Sequence, residues 1–344
     1  MRYLLFGPTG LRVSELCLGT MTFGEEWGWG SAPDQCRAIF DAYLDAGGNF
    51  IDTANYYTAG TSETILGDLI ASQRDRLVLA TKYTLAMKPG DLNSGGNHRK
   101  NLMQSVEGSL RRLRTECIDL LWLHAWDYTT PIEEVMRALD DLVRMGKVFY
   151  VGVSDTPAWI VSRANLLAEL RGWSAFAGLQ VEYSLLERTP ERELLPMARA
   201  LGLAITPWSP LGGGLLTGKY RHLSSEEQRR LKADNRRMTE RNFAIVEEVC
   251  RVAEEIGCKP GQVALRWVQH QAGRPIPILG ARTLEQLREN LESLQVNLSG
   301  EHLDHLDRAS AISLGFPHEF LASDGVNEIL FGGLRDRLEG FRKP

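Results

Sequence analysis

Leu-Val-Leu-Ala-Thr at residues 77–81 and Ile-Asp-Leu-Leu-Trp-Leu-His at residues 118–124 flank an amphipathic stretch, Asn97–Arg114. Both flanking runs are apolar almost throughout, which is typical of parallel strands that are buried on both faces. The stretch between them carries apolar residues at helical spacing. Residues 77–124 are therefore predicted to form a βαβ unit, in which a helix connects two parallel strands.

The same alternation of strand and helix continues in both directions along the 344-residue chain. Eight strands are predicted, at Glu15–Thr20, Phe50–Thr53, Leu77–Thr81, Ile118–His124, Phe149–Val153, Gly178–Val181, Ala204–Trp208 and Ile276–Leu279. Eight helices are predicted at Asp34–Ala46, Ser62–Ala71, Asn97–Arg114, Ile132–Met145, Pro157–Leu170, Pro190–Ala200, Glu240–Ile256 and Leu284–Leu294. Several helices close with a glycine suited to a C-cap, at Gly47, Gly146, Gly172, Gly202 and Gly257. This pattern predicts an α/β fold, a (β/α)8 TIM barrel forming a single domain over residues 1–344.

Three segments are additions to the minimal repeat. A Gly-Pro-Thr-Gly turn separates Tyr3–Phe6 from Leu11–Ser14, which predicts an N-terminal hairpin that closes the bottom of the barrel. After the seventh strand, Ser209–Thr239 is long enough to predict a functional lid or a disordered loop. Its charged part, Glu226–Arg241, is typical of a solvated helix, and residues 300–344 form a C-terminal tail.

Composition and charge argue against several classes of protein. The formal net charge is -5 and no basic run stands out, so the chain lacks the positive footprint that nucleic acids and anionic membranes require. No run approaches the roughly 18 apolar residues of a membrane helix, and the N-terminus lacks the apolar region of a signal peptide. The five cysteines are scattered, which argues against a disulfide framework or a metal site and predicts a cytoplasmic location.

Four side chains capable of acid–base chemistry stand near the ends of consecutive predicted strands. Asp52 ends the second strand, Lys82 the third and His124 the fourth, and Tyr57 follows Asp52 by five residues. Because the active sites of such barrels lie at the carboxyl ends of the strands, we expect these side chains to converge. Each residue alone is more typical of a turn, a solvent-exposed lysine or a core histidine, and Tyr56 competes with its neighbour for the tyrosine role.

The four residue types form a coherent set for proton transfer. A free tyrosine has a pKa of about 10 and is a poor acid near neutral pH. A nearby ammonium favours the phenolate and lowers that pKa, and a partly buried ammonium needs a carboxylate partner. A histidine can donate a hydrogen bond to a carbonyl oxygen and orient it. Such a set suits protonation of an oxygen while hydride reaches the adjacent carbon.

Over nearly its whole length the sequence resembles the aldo-keto reductase family. The matching segments occur in the family's order: Leu18-Gly19-Thr20, Phe23-Gly24, residues 50–54 with Tyr57, Lys82, residues 119–124, Gly146-Lys147, Gly152-Val153-Ser154, Gln180, residues 208–211 and Gly280-Ala281-Arg282. The resemblance implies an NADPH-dependent oxidoreductase that reduces aldehydes or ketones. It implies that Tyr57 donates the proton and that Lys82 lowers the pKa of Tyr57. In the same scheme Asp52 pairs with Lys82, and His124 orients the carbonyl.

The last predicted βα unit is the candidate cofactor site. No G-x-G-x-x-G follows a strand, so a Rossmann site is not indicated. Thr283 and Gln286 resemble a capping box that opens a helix, and Arg282 stands beside the positive end of that helix. A bound anion would neutralise both, because helix N-termini bind phosphates. The resemblance implies that the anion is the 2′-phosphate of NADPH, held by Arg282 with Gln286 and Asn290 nearby.

The resemblance implies further cofactor contacts along the strand ends. It implies that Trp208 stacks on the nicotinamide and that Ser154, Asp155 and Gln180 bind the carboxamide. Asp155 departs from the family, whose usual residue is asparagine, so an amide donor is lost. A glycine-rich loop with Lys219 would close over the pyrophosphate as a lid. The full set of predicted cofactor contacts is Thr20, Asp52, Ser154, Asp155, Gln180, Trp208, Ser209, Pro210, Leu211, Gly213, Lys219, Gly280, Arg282, Gln286, Glu289 and Asn290.

Aromatic residues gather on the loops that follow the first, second and fourth predicted strands. A pocket with aromatic walls and few polar groups favours an apolar or ring-bearing carbonyl or alcohol as substrate. The predicted substrate contacts are Phe23, Trp27, Trp29, Tyr57, His124 and Trp126.

A second interpretation belongs to a different class of protein. Some proteins that share this resemblance are cofactor-binding regulatory subunits with little turnover, as the potassium-channel beta subunits are, and fold alone does not separate the two roles. Those subunits carry asparagine at the position of His124, so the histidine favours an enzyme.

Overall fold

The computed structural model describes residues 1–220 and 235–339, and ten strands lie in these ranges. The first two strands, β1 (Tyr3–Leu5) and β2 (Arg12–Ser14), pair antiparallel as a hairpin. The other eight form one parallel sheet: β3 (Cys17–Gly19), β4 (Phe50–Asp52), β5 (Val78–Tyr83), β6 (Ile118–Leu123), β7 (Val148–Ser154), β8 (Phe176–Glu182), β9 (Ala204–Trp208) and β10 (Ile278–Gly280).

The parallel strands close into a barrel. They neighbour one another in chain order from β3 to β9, and β10 pairs with β3. Just before β10, the amide of Ile276 donates to the carbonyl of Ile205 in β9 at 2.8 Å, which brings the two edges of the sheet together. The structure therefore confirms the predicted (β/α)8 barrel.

The barrel is surrounded by helices. Those that separate the parallel strands or follow the last one are α1 (Pro33–Asp45), α2 (Thr61–Ile70), α3 (Arg99–Leu113), α4 (Ile132–Arg144), α5 (Ala158–Arg171), α6 (Leu194–Ala200), α7 (Glu240–Ile256), α8 (Pro260–His270) and α9 (Leu284–Glu292). The C-terminal tail contributes α10 (Gly300–Ser310), α11 (His318–Ala322) and α12 (Asp324–Phe331). Within the two described ranges, none of the helices has the length and apolar character needed to span a bilayer.

Burial follows the periodicity that the sequence predicts. Every residue of β5 is buried, as expected for a parallel strand covered on both faces. The helix α4 instead buries one stripe, which includes Val135, Leu139 and Leu142, against the sheet. The apolar side chains thus fill both the barrel interior and the layer between the strands and the helices.

The hairpin lies at the N-terminal end of the barrel and inserts one side chain into it. Phe6, just after β1, is fully buried, and its ring lies 5.7 Å from that of Phe50 and 6.1 Å from that of Trp122, edge to face. Gly178 in β8 accommodates this ring, because a Cβ atom there would lie 2.5 Å from the Phe6 Cζ atom. The predicted hairpin is therefore present, and Phe6 fills the bottom of the barrel.

The observed elements differ from the predicted ones at a few places. Each predicted strand overlaps an observed strand, and Ala204–Trp208 has the same bounds. The sixth predicted helix, Pro190–Ala200, is an α-helix only from Leu194 onwards. A short 3-10 turn precedes it. The helix α8 and the tail helices were not predicted as helices. The predicted solvated helix Glu226–Arg241 falls mostly outside the described residues, and α7 begins at Glu240.

The glycines predicted to close helices adopt the left-handed conformation that the caps require. Their φ angles are 85° at Gly47, 71° at Gly146, 62° at Gly172, 66° at Gly202 and 77° at Gly257. The C-cap predictions are therefore confirmed at all five positions.

Candidate active site

The four predicted acid–base side chains meet at the carboxyl end of three adjacent strands. Asp52 ends β4, Lys82 is the penultimate residue of β5, and His124 directly follows β6. Lys82 Nζ donates to the Asp52 carboxylate, to the Thr53 carbonyl at 2.9 Å and to the Tyr57 hydroxyl at 3.1 Å. The neighbouring positions of the parallel strands produce this convergence, as the sequence predicted.

The Lys82–Asp52 pair is buried and remains charged. Lys82 is 1% exposed and Asp52 is 2% exposed. Burial disfavours the ammonium, but the charge of Asp52 and the Tyr57 hydroxyl outweigh it, so the pKa of Lys82 is raised. Gln180 in β8 donates from Nε2 to Asp52 Oδ1 at 3.0 Å, which satisfies the carboxylate oxygen that faces away from Lys82. A buried ion pair needs such additional hydrogen bonds.

Tyr57 and His124 have environments that favour their neutral forms. Burial raises the pKa of the Tyr57 phenol, and the Lys82 ammonium opposes this rise without cancelling it. The expected lowering by Lys82 is thus present, but burial is the larger effect. Burial and the Lys82 charge together lower the pKa of His124 to about 3. The tyrosine is therefore protonated and the histidine uncharged near neutral pH.

A second pair of side chains extends this end of the barrel. The indole Nε1 of Trp208, at the end of β9, donates to Asp155 Oδ1 at 3.2 Å. Asp155 follows β7 with a φ of 38°, in the left-handed region that asparagine and aspartate tolerate better than other non-glycine residues. Burial raises the pKa of its carboxyl group. The aspartate thus satisfies the backbone requirement of this position, although it lacks the amide donor of an asparagine.

One cavity of about 750 Å³ joins this cluster to the start of α9. Every predicted cofactor contact except Thr20 lies in its wall, as do Tyr57, His124, Trp27 and Trp29. Lys82 lies behind the wall, in contact with Asp52 and Tyr57. The volume is within the range of about 300–1,000 Å³ that small-molecule sites occupy.

Three predicted contact residues lie away from the cavity wall. Thr20 is fully buried, and its hydroxyl donates to the Asp52 carbonyl at 3.2 Å. Phe23 is also fully buried, in the apolar layer beneath the loop that follows β3. Trp126 is partly buried and packs against the apolar core. Their positions in the sequence, close to strand ends, did not indicate which way the side chains point.

The start of α9 is organised around backbone donors. Thr283 accepts a hydrogen bond from the amide of Gln286 at 3.3 Å, and the Gln286 side chain accepts one from the amide of Arg282 at 2.9 Å. The Gln286 contact therefore lies one residue earlier than in a standard capping box. Asn290 donates to the Gly280 carbonyl at 3.5 Å, and Glu289 pairs with Lys259.

Aromatic rings form the opposite part of the wall. The ring of Trp27 lies 5.7 Å from that of Trp29, 6.1 Å from that of Tyr56 and 6.4 Å from that of Tyr57, between centroids. The ring of His124 meets Tyr57 edge to face at 6.0 Å. The cluster of Asp52, Tyr57, Lys82 and His124 therefore adjoins a predominantly aromatic surface.

The wall also contains residues that were not among the predicted contacts: Gly19, Met21, Thr22, Tyr56, Leu85, Gly214, Thr217, Arg237, Leu265, Ile278, Leu279 and Ala281. Most of them are next to a predicted contact residue in the sequence or end a predicted strand, so their sequence positions could have indicated that they line the cavity. Leu265 lies in α8, and Arg237 precedes α7, so neither had such a signal. The predicted lid runs through Gly212–Thr217, which forms a 3-10 turn, but residues 221–234 of it lie outside the described residues.

The residues that could bind a cofactor have the right chemistry for an anionic dinucleotide. Arg282 and Lys219 supply positive charge to the cavity wall, and the amide-rich start of α9 lies beside Arg282. Trp208 and the proton-transfer cluster line the same cavity. The cavity therefore combines a positively charged region that could bind phosphate with a flat aromatic side chain and a buried phenol.

Comparison with known proteins agrees with this chemistry. The model of the Aldo/keto reductase family matches residues 15–311. The chain is 40% identical to a norsolorinic acid reductase of Aspergillus flavus over 330 residues, covering 92% of this chain and 83% of that protein. It is 40% identical to an aryl-alcohol dehydrogenase [NADP(+)] of Phanerodontia chrysosporium over 343 residues, covering 92% and 87%. A putative aryl-alcohol dehydrogenase of Saccharomyces cerevisiae is 38% identical over 340 residues, covering 93% and 89%.

The family match includes all strands from β3 to β10, and each of these relatives covers more than nine-tenths of the chain. The chain therefore belongs to the aldo-keto reductase family and is an oxidoreductase that acts on carbonyl or alcohol groups.

Proposed function

We propose that this chain reduces aldehydes or ketones with NADPH, reversibly with alcohol oxidation, and that Tyr57 is the proton donor. The observation that supports this most directly is the 3.1 Å contact between Lys82 Nζ and the Tyr57 hydroxyl at the cavity wall. NADPH, when bound, supplies the hydride. The protein's part is to hold one proton beside the carbonyl oxygen and to stabilise the charge that its transfer creates.

Each member of the cluster has a separate task in that transfer. Tyr57 holds the proton on its hydroxyl, because burial raises its pKa above the ordinary value. When the proton leaves, the ammonium of Lys82 stabilises the phenolate, and the carboxylate of Asp52 keeps that ammonium charged. His124 is neutral, so one ring nitrogen carries a hydrogen that can be donated to the carbonyl oxygen.

The proposed cofactor contacts follow the cavity wall. Arg282 would bind the 2′-phosphate, with Gln286 and Asn290 nearby, and Trp208 would stack against the nicotinamide. Ser154, Asp155 and Gln180 would bind the carboxamide. All of these residues line the same cavity as Tyr57.

We further propose that the substrate carries an aromatic ring. The rings of Trp27, Trp29 and Tyr56 lie together beside Tyr57, and such a surface binds flat apolar groups well. The names of the relatives, an aryl-alcohol dehydrogenase among them, support the same class. A substituted benzaldehyde should therefore have a higher kcat/KM than a short aliphatic aldehyde.

The decisive experiment replaces the proposed proton donor. Tyr57→Phe should bind NADPH, measured by fluorescence titration, but lose turnover of benzaldehydes by roughly 100- to 10,000-fold, the usual contribution of general acid catalysis. Tyr56→Phe is the matched control, because Tyr56 is 43% exposed and Lys82 contacts the neighbouring hydroxyl instead. Its turnover should stay far above that of Tyr57→Phe.

The same assay separates the enzyme from a regulatory subunit. NADPH consumption, followed at an absorbance wavelength of about 340 nm, should continue over many turnovers with a panel of aldehydes and ketones. Oxidation of a single equivalent without turnover would favour the regulatory role. Full activity of Tyr57→Phe would exclude the proposed mechanism.

A further inference from the structure

The backbone directly after Tyr57 has an unusual conformation. Thr58, Ala59 and Gly60 have φ angles of 48°, 53° and 98°, so three consecutive residues are in the left-handed region. Non-glycine residues adopt this region only when the surrounding structure requires it. The position of the Tyr57 hydroxyl therefore depends on contacts that hold this turn.

Two sets of contacts hold the turn. The Thr58 hydroxyl donates to the Phe23 carbonyl at 2.8 Å and accepts from the amide of Ser62 at 3.0 Å. On its other side Gly60 lies against Arg112 of α3, where a Cβ atom would come within 2.9 Å of the Arg112 Cδ atom. The arginine side chain thus limits how far the turn can move.

Arg112 is in turn fixed by a buried carboxylate. Its Nε donates to Glu63 Oε2 at 2.7 Å, and the Glu63 side chain is 0% exposed in the first turn of α2. The second oxygen, Glu63 Oε1, accepts from the Thr81 hydroxyl at 2.5 Å. Thr81 immediately precedes Lys82 in β5. One carboxylate therefore connects the turn that carries Tyr57 with the strand that carries Lys82.

We infer that the Glu63–Arg112 pair is a positioning device that sets the distance between Lys82 Nζ and the Tyr57 hydroxyl. This inference rests on the proposed function, in which that distance controls proton transfer. Neither residue lines the cavity, and neither contacts Tyr57 or Lys82 directly. The pair acts through Gly60 on one side and through Thr81 on the other.

The expected consequence is specific to the ionisation of Tyr57. In the direction of alcohol oxidation the phenolate of Tyr57 accepts the proton, so the rate rises with pH as the phenol ionises. If the pair is disrupted, Lys82 and Tyr57 separate, and the ammonium stabilises the phenolate less. The rising limb of the pH profile should then move to higher pH, and kcat should fall.

The test measures kcat and KM against pH with benzyl alcohol and NADP+ in three variants. Glu63→Gln keeps the shape of the side chain but removes its charge, and Arg112→Ala removes the partner. Each should shift the rising limb by about one pH unit and lower kcat by about tenfold, with KM for NADP+ changed less than about twofold. The double variant should resemble either single variant, because both remove the same interaction.

A matched control is available in a second carboxylate that contacts β5. Asp119 at the start of β6 pairs with Arg74 at 2.8 Å and accepts from the amide of Leu79 in β5 at 2.9 Å, but at the opposite end of the barrel. Asp119→Asn should lower stability and leave the pH profile unshifted. Arg112→Lys, which keeps the charge and most of the chain length, should restore part of the wild-type profile.

Several outcomes would overturn the inference. One is an unshifted profile in Glu63→Gln and Arg112→Ala, and another is additive effects in the double variant. If Glu63→Gln does not fold, Arg112→Ala decides the question, because Arg112 is 26% exposed and Glu63 keeps its hydrogen bond from Thr81 when the arginine is replaced. Tyr57→Phe is measured alongside. An active Tyr57→Phe contradicts the proposed function itself, whereas an inactive one with unshifted variants contradicts only the positioning role.

Discussion

The buried side chains of this site that carry charge, Lys82 and Asp52, form an ion pair with each other. Tyr57 and His124 share the same surroundings and remain neutral. This distribution follows from the high free energy of an isolated charge in a low-dielectric environment. The phenol of Tyr57, at the cavity wall, therefore stays protonated near neutral pH.

The lowered pKa of His124 predicts a pH-dependent contribution to stability. The folded protein has a His124 pKa of about 3, whereas the unfolded chain has the ordinary value of 6.5, so only the unfolded chain binds this proton between these values. The stabilisation is complete above pH 6.5 and is lost as the pH falls towards 3. Between pH 7 and pH 5 the free energy of unfolding should drop by about 1–2 kcal/mol through this residue.

Urea unfolding of the wild type and of His124→Asn at the two pH values checks this. Other titrating groups contribute equally to both proteins, so the variant should show a smaller drop than the wild type by the stated amount. An identical drop in the two proteins would mean that His124 is protonated in the folded state. The variant should also reduce aldehydes more slowly, because the proposed donor to the carbonyl oxygen is altered.

At the scale of residues, the sequence predicted the acid–base cluster but not what surrounds it. Asp52, Tyr57 and Lys82 follow from their places at neighbouring strand ends. The hydrogen bond from Gln180 to Asp52 joins residues 128 positions apart, and local pattern carries no information about such a contact. The direction of the Phe23 side chain was likewise undetermined, because a loop has no fixed alternation of inward and outward positions.

Among the elements, α9 has the clearest proposed role, since its first residues form one end of the cavity. Thr283 caps the helix and Gln286 holds the amide of Arg282, so the arginine backbone is fixed beside the helix N-terminus. A phosphate placed there would meet the guanidinium and the positive end of the helix together.

Arg282→Met therefore tests the cofactor preference. Loss of a charged hydrogen bond should raise KM for NADPH by roughly 10- to 100-fold, while KM for NADH should change less than about twofold, because NADH lacks the 2′-phosphate. Arg288→Met is the control: it removes an exposed arginine of α9 that lies outside the cavity wall, and it should leave both values unchanged. Equal increases for NADPH and NADH in Arg282→Met would contradict the assignment of the 2′-phosphate to this residue.

Elements were predicted best where apolar periodicity and boundary residues agree. The strand β9 and the helix α7 have the predicted bounds. The helix α8 was missed although Pro260 stands at its first turn and the Gln262 side chain accepts from the amide of Lys259 at 3.1 Å. The eightfold repeat requires only one helix before β10, so it does not predict a second helix in that connection.

At the scale of the whole molecule, one end of the barrel carries the polar site and the other end contributes to stability. The carboxyl ends of the strands carry the polar cluster and the cavity, while the hairpin and Phe6 close the other end. The barrel itself could be predicted from the sequence, because eight buried parallel strands with intervening helices have few alternative arrangements. The packing of side chains inside the barrel could not be predicted, because the contact of Phe6 with Gly178 exists only once the barrel has closed.

Phe6→Ala should therefore destabilise the barrel without changing its chemistry. The ring is fully buried between Phe50 and Trp122, and removing it leaves a cavity that the closed strands cannot fill. The expected loss is about 3–5 kcal/mol in the free energy of unfolding, measured by urea denaturation. Leu5→Ala alters the adjacent position, which is 62% exposed, and should change stability by less than about 0.5 kcal/mol.

The activity of the folded variant completes this test. Under conditions where Phe6→Ala is fully folded, its kcat and KM for an aromatic aldehyde should equal those of the wild type, because the substituted ring lies at the end of the barrel opposite to Tyr57. A large fall in kcat with little loss of stability would show instead that the hairpin influences the geometry of the active site. Equal destabilisation by Leu5→Ala and Phe6→Ala would mean that the hairpin contributes through its strand pairing, and that the buried ring does not fill the barrel as the packing indicates.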